Sequence, residues 1–184
     1  MSDKRTLPNF ASEIRELVGQ SPGVPPVETW HPEREGEIDI EIARDGNWYY
    51  QGELMERASV VQLFSSILRK DGDAFFLVTP AEKMKIRVED APFVIRLLDV
   101  EGSGEQQKLH VSTNVGDHFT VGESHPLRTV YNDKGEPAPY VTVRRNLEAL
   151  ITRTVYYELA ELAQESPDTP DRYGVWSQGQ FFLI

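Results

Sequence analysis

Three groups of residues in this chain could act on a charged ligand. Lys83, Lys85 and Arg87 alternate with Met84, Ile86 and Val88, and on a strand that spacing puts three cations on one face. Such a row is either an anion-binding wall or the charge that keeps a sheet edge from pairing with other chains. Arg144-Arg145-Asn146 stands just before an apolar run that starts at Leu147. Read as a strand-to-helix junction, it would aim helix N-terminal amides and an arginine fork at a phosphate or carboxylate. The same residues equally suit helix capping and ion pairs with nearby acids. Arg57, ahead of an earlier helix, is the corresponding cation. Trp48 and Trp176 could stack on a planar ligand, with Asn114 adding hydrogen bonds, although such aromatics also fill cores.

Other chemistries have less support. His31, His110, His118 and His125 are scattered, and only Asp117 and His118 lie together near His110, which falls short of a zinc ligand set. No Gly-x-Ser-x-Gly elbow accompanies a histidine. Gly102-x-Gly104 lacks the third glycine and the strand-loop-helix setting of a dinucleotide fingerprint, and no Walker-type Gly-Lys-Ser/Thr occurs. Asp39 and Glu41 alternate with Ile38, Ile40 and Ile42, so they read first as the wet face of a strand. No metal or cofactor is expected.

The positioning elements follow from periodicity. Phe10, Ile14, Leu17 and Val18 mark a first helix with Asn9 as N-cap, and Ser21-Pro22-Gly23-Val24-Pro25-Pro26 reads as an extended linker. Asp45-Gly46 between the Ile38–Ile42 run and Trp48-Tyr49-Tyr50 is a hairpin signal. Val60, Leu63, Phe64, Ile67 and Leu68 predict a helix from about Ser59 to Lys70 capped by Gly72, then a strand Ala74–Val78. Beyond Pro92 the pattern predicts strands at Phe93–Val100, Lys108–Thr113, His118–Val121, Leu127–Tyr131 and Tyr140–Val143. A long helix follows through Leu147, Leu150, Ile151, Val155, Leu159 and Leu162, with Asn146 as its N-cap. Gly46 and Phe75-Phe76-Leu77 find rough counterparts in Gly135 and Phe181-Phe182-Leu183. That suggests a repeated hairpin-helix-strand unit.

Composition sets outer bounds. The chain has 184 residues, enough for one large domain or two small ones. It has no cysteine, which removes disulfides, thiolate metal sites and thiol nucleophiles and suits a reducing cytoplasm. Met1 to Arg5 leads into no apolar leader, and no window approaches the roughly 18 apolar residues of a membrane span. Nineteen Lys+Arg against thirty Asp+Glu give a net charge of -11, which argues against duplex nucleic acid and anionic membranes as partners.

The chain resembles the bacterial family known as domain of unknown function 1285. The resemblance is carried by Pro26 and Trp30, the run Ile42 to Gly52 (IARDGNWYYQG), Phe76 to Lys83 (FLVTPAEK) and Val88 to Phe93 (VEDAPF). It continues in His125-Pro126-Leu127-Arg128, Pro139-Tyr140, Arg144, Leu147 to Ile151 and Gly174 to Ser177. It implies two related α+β units, the second an antiparallel meander closed by a helix and like a pleckstrin-homology fold. It also implies a ligand pocket where the domains meet and a role in bacterial signalling. The expected division is a helix and linker over residues 1–22, an α+β domain over 23–90 and a second over 91–184. The expected function is a non-enzymatic sensor of a small anionic, nucleotide-like ligand held by Arg57, Lys85, Arg87, Asn114, Arg144, Arg145, Trp48 and Trp176. The alternatives are a protein-interaction module, including a homodimer, and an enzyme whose site spans the two domains.

Overall fold

The computed structural model describes residues 7–20 and 23–184. Contacts divide the chain into two units, residues to Ala43 with Asn47–Glu89, and Arg44–Gly46 with Asp90–Ile184.

In the first unit, α1 (Leu7–Val18) buries Phe10, Ala11 and Ile14, and Phe10 meets the Phe64 ring at 5.5 Å. The helix starts ahead of Asn9, so that residue lies inside it and not at its cap. Ser21 and Pro22 of the expected linker fall outside the described residues. The segment after them is packed, for Val27 is buried in a short 3-10 turn, Val27–Thr29, and Arg69 Nη1 donates to the carbonyls of Val27 and Trp30 at 2.9 and 2.7 Å. Strands β1 (Arg34–Ile42), β2 (Trp48–Tyr50) and β3 (Glu53–Leu54) precede α2 (Ala58–Ser66), and β4 (Leu68–Asp71), β5 (Ala74–Val78) and β6 (Glu82–Val88) follow it. They form one sheet in the order β3-β2-β1-β6-β5-β4, with β1 parallel to β6.

The helix expected to reach Lys70 therefore stops at Ser66. Leu68 to Asp71 pairs with β5, and Gly72, at φ +60°, turns the β4–β5 hairpin and caps no helix. Ile67 is the C-cap of α2, and Leu68, which fits both periodicities, is held in the strand by its cross-strand partner Leu77. Ile40, Ile42, Trp48, Phe64, Ile67, Leu68 and Leu77 are all within 1% of full burial. Burying each side chain of this size contributes on the order of 1.5–3 kcal/mol.

The second unit contains β7 (Phe93–Glu101), β8 (Lys108–Thr113), β9 (His118–Thr120), β10 (Leu127–Tyr131), β11 (Pro137–Arg144) and β12 (Leu147–Ile151). They are followed by α3 (Arg153–Glu161), β13 (Gln164–Glu165), β14 (Tyr173–Ser177) and β15 (Gln180–Leu183). The large sheet runs β10-β11-β12-β7-β8-β9 with β12 parallel to β7, so it is two three-stranded meanders joined through a parallel pair. The small sheet β13-β14-β15 is tied on by Ser177, whose buried hydroxyl donates to Val121 O at 2.6 Å and accepts from Leu109 N–H at 3.0 Å.

Leu147 to Ile151 was expected to open a helix and is a strand. Leu147, Ala149 and Ile151 are buried in alternation, a period of two concealed within a run that also satisfies helical spacing. Numbered in chain order, the strands of both large sheets stand in one order, third-second-first-sixth-fifth-fourth, with the first and sixth parallel. Gly46 turns the first hairpin of its sheet, whereas Gly135 joins the fourth and fifth strands of the other. The stretches paired by sequence thus occupy different places. Helix α2 falls between third and fourth strands, and α3 follows the sixth.

Gly46 is buried at φ +88° and grouped with the second unit. A Cβ there would lie 2.7 Å from Val94 Cγ2 and 2.9 Å from Asn114 Nδ2, so the position demands glycine.

Candidate functional site

Four of the expected site residues lie in the first unit and four in the second. Trp48 is 1% exposed and belongs to the core, so ligand stacking is not open to it. Arg57 is exposed at the N-cap position of α2 and makes no side-chain cap bond.

The stripe on β6 meets the acids of β1. The parallel register sets Glu35 against Lys83, Glu37 against Lys85 and Glu41 against Arg87. Arg87 pairs with Asp39 at 2.8 Å and Glu41 at 3.2 Å, while Lys83 reaches Asp71 at 2.9 Å and Glu35 at 3.5 Å and lies 4.1 Å above the Phe76 ring. Burial is the largest single influence on the Asp71 carboxyl and pushes its pKa up, but the hydrogen bonds and charges of Arg69 and Lys83 together outweigh it and hold the group below its ordinary range. Strand β6 is interior, so its cations do not guard an edge, and the carboxylates paired with Lys83 and Arg87 would compete with any anion for them. An open hollow of about 670 Å³ over Lys85 and Arg87 is also lined by Glu41, Asp71, Asp73 and Glu89, and this acidic excess disfavours anions.

Arg144-Arg145-Asn146 is no helix N-terminus. Arg144 pairs with Leu147 across a two-residue turn in which Arg145 holds φ +53°. The Arg144 guanidinium sits 3.0 Å from Asp117 and 4.9 Å from the Phe93 ring centroid. Burial pushes its pKa down against the pull of Asp117. Asn114 is committed at both ends, accepting from Val94 N–H and donating to Gly46 O, each at 3.0 Å. Trp176 is half-buried, edge-on to Phe181 at 5.2 Å. These residues tie the second unit together.

What the sequence reading missed is a groove of about 900 Å³ in the second unit, walled by Tyr140, Tyr156 and Tyr157 and by Pro137 and Pro139, with Arg44 and Arg153 at its margin. The Tyr140 hydroxyl donates to Asp90 Oδ1 at 2.8 Å, and the guanidinium of Arg128, held by two 2.7 Å bonds to Glu148, covers its ring at 4.8 Å. Burial, then the bond to Asp90, pushes its pKa up to about 12. Tyr156 is raised by burial and by its tyrosine neighbours. Arg44 is 3.2 Å from Asp90 and Glu136 accepts from Asn132 at 2.7 Å, whereas the Arg153 side chain makes no hydrogen bond or ion pair among the described residues. The groove thus offers an aromatic wall beside a cation with no hydrogen bond or ion pair among the described residues. The signals present in the sequence were Pro137-x-Pro139-Tyr140 and the tandem Tyr156-Tyr157.

Among the described residues no group of three or more His, Asp or Glu has the arrangement of a metal site, and no helix is long and apolar enough to cross a membrane. The comparison with curated proteins gives no match. The family model for the N-terminal domain of DUF1285, a domain of unknown function, matches residues 25–91, and that for the C-terminal domain of DUF1285, a protein of unknown function, matches residues 92–184. A solved DUF1285 family protein from Silicibacter pomeroyi DSS-3 is 45% identical, covers 99% of this chain and 96% of its own, and superposes with a TM-score of 0.89. Another, from Shewanella baltica OS155, is 31% identical over 66% of this chain and 90% of its own, with a TM-score of 0.51. Matched along nearly its whole length, the chain belongs to the DUF1285 family.

Proposed function

We propose that the protein is a non-enzymatic binding or sensor protein of bacterial signalling, acting in the cytoplasm, and that it takes a small anionic, nucleotide-like ligand in the tyrosine groove of the second unit. The observation that carries this is the groove itself. Its volume of about 900 Å³ suits a small ligand, its wall is aromatic, and Arg153 is available for a phosphate or carboxylate. Among its lining residues no hydroxyl is paired with a histidine, which favours binding over turnover. We also infer a pleckstrin-homology-like second unit and an ancient duplication. The sheet followed by α3 supports the first idea, and the strand order common to both sheets supports the second.

Thermal shift with nucleoside monophosphates and aromatic carboxylic acids tests the reading. A binder should raise Tm, and Arg153→Ala or Tyr157→Ala should weaken it about tenfold or more, the size of one charged hydrogen bond or one stacked ring. Absence of any stabilising anion, or affinities indifferent to both substitutions, would sink the proposal. A protein-docking reading draws on the exposure of Val130, Tyr131, Tyr157 and Tyr173, each 44% or more, and predicts a partner or a self-associated species that Tyr157→Ala disrupts.

A further inference from the structure

A second candidate site lies on the face of β7, β8 and β9, apart from the groove. Antiparallel register sets His110 opposite Thr120 and Ser112 opposite His118, so these four side chains share one face. Glu101, opposite Lys108 at the end of β7, adds a carboxylate. His110 Nδ1 is 2.8 Å from Thr120 Oγ1 and its Nε2 is 3.3 Å from Glu101 Oε2, while Lys108 Nζ is 3.0 Å from Glu101 Oε1. Hydrogen bonds from Lys108 and then His110 hold Glu101 below the usual carboxylate range, so it is an ionised acceptor. In the tautomer whose Nε2 carries the proton toward Glu101, the Nδ1 lone pair accepts from the Thr120 hydroxyl. Ser112 and His118 form a similar pair at 2.7 Å, but no carboxylate among the described residues orients the other nitrogen of that ring.

We propose that Thr120 is an acyl-accepting hydroxyl, with His110 as its general base and Glu101 as the group that orients the base, and that it reacts with activated esters. An open hollow of about 550 Å³ lies over this face, lined also by Asp99, and Leu97, opposite Ser112 and 66% exposed, provides an apolar edge for an acyl or aryl group. In the step, Thr120 Oγ1 attacks the ester carbonyl while its proton passes to His110 Nδ1. The Oγ1–carbonyl bond forms and the bond to the leaving oxygen breaks. The proton on His110 then leaves with the alcohol, and the acyl group remains as a threonine ester. No oxidant or metal is involved. The arrangement is a hydroxyl-imidazole-carboxylate chain set on a sheet face, and the step is a single self-acylation without turnover, compatible with a non-enzymatic binding role for the groove.

The test is p-nitrophenyl acetate added to the full chain, with nitrophenolate release followed by absorbance and the acetyl group located by peptide mass spectrometry. Acetylation of Thr120 is expected, abolished in Thr120→Val and retained in Thr120→Ser. His110→Gln should slow it about a hundredfold, within the range for general-base catalysis, and Glu101→Gln less. Acetyl found on Lys108 with Thr120 unmodified would overturn the proposal. So would an unchanged rate in His110→Gln of native thermal stability, and so would a Thr120→Ser chain that takes up no acetyl. Ligand binding in the groove is read by thermal shift and acetylation by mass spectrometry, so the two sites stand or fall separately.

Discussion

Tyr140 joins titration to structure more directly than any other side chain in the second unit. Its folded pKa of about 12 stands above the ordinary tyrosine value of roughly 10, because burial and the bond to Asp90 favour the neutral phenol. A group raised in this way contributes stability that is complete below pH 10 and is lost as pH climbs through 12, since the unfolded chain releases the proton first. Tyrosinate absorbance should therefore show a transition near pH 12 that disappears in Tyr140→Phe, and its absence from the parent titration would contradict the geometry. At this scale the sequence was legible in residue type and not in availability. Trp48, Asn114 and Arg144 were sensible ligands by chemistry, yet each is spent on the fold, Trp48 in the core, Asn114 on two backbone groups, Arg144 between Asp117 and Phe93. Whether a donor is already engaged depends on strands remote in sequence, which composition does not encode.

Strand β6 shows how an element acquires meaning from its neighbour. Its alternation was visible, and so was the acidic face of β1, but only the parallel register between them turns two charged stripes into a ladder of ion pairs. The rungs differ in depth. The Lys83 side chain is 15% exposed, bridges two carboxylates and caps the Phe76 ring, whereas that of Arg87 is 63% exposed. Lys83→Ala should accordingly cost about 1–2 kcal/mol in urea unfolding, and Arg87→Ala distinctly less. Equal losses would show that burial does not set the value of these pairs. The misread boundaries share one cause. Leu68 and Leu147 to Ile151 satisfy helical and strand periods together, and pairing with Leu77 in one case and with β7 and β11 in the other settles what local pattern leaves open.

At the scale of the molecule, the two-part α+β organisation was readable from the succession of turns and apolar runs, while the parallel first and sixth strands were hidden because their partners lie far apart in the chain. One feature of that organisation bears on how such a protein can be divided or recombined. The second unit is not a continuous stretch, for it includes Arg44–Gly46, with Gly46 packed on Val94 and bonded to Asn114. A fragment of residues 90–184 would lose that tripeptide, leaving the Asn114 amide without its acceptor and Val94 uncovered. Its urea midpoint should fall below that of the same unit followed by hydrogen exchange in the full chain, and an equal midpoint would show the tripeptide to be dispensable. An exchange of second units between relatives would have to carry these three residues along, although they are encoded some forty positions upstream of the rest. The contiguous stretch shared with the C-terminal family domain and the structural unit it builds are then different objects in this chain.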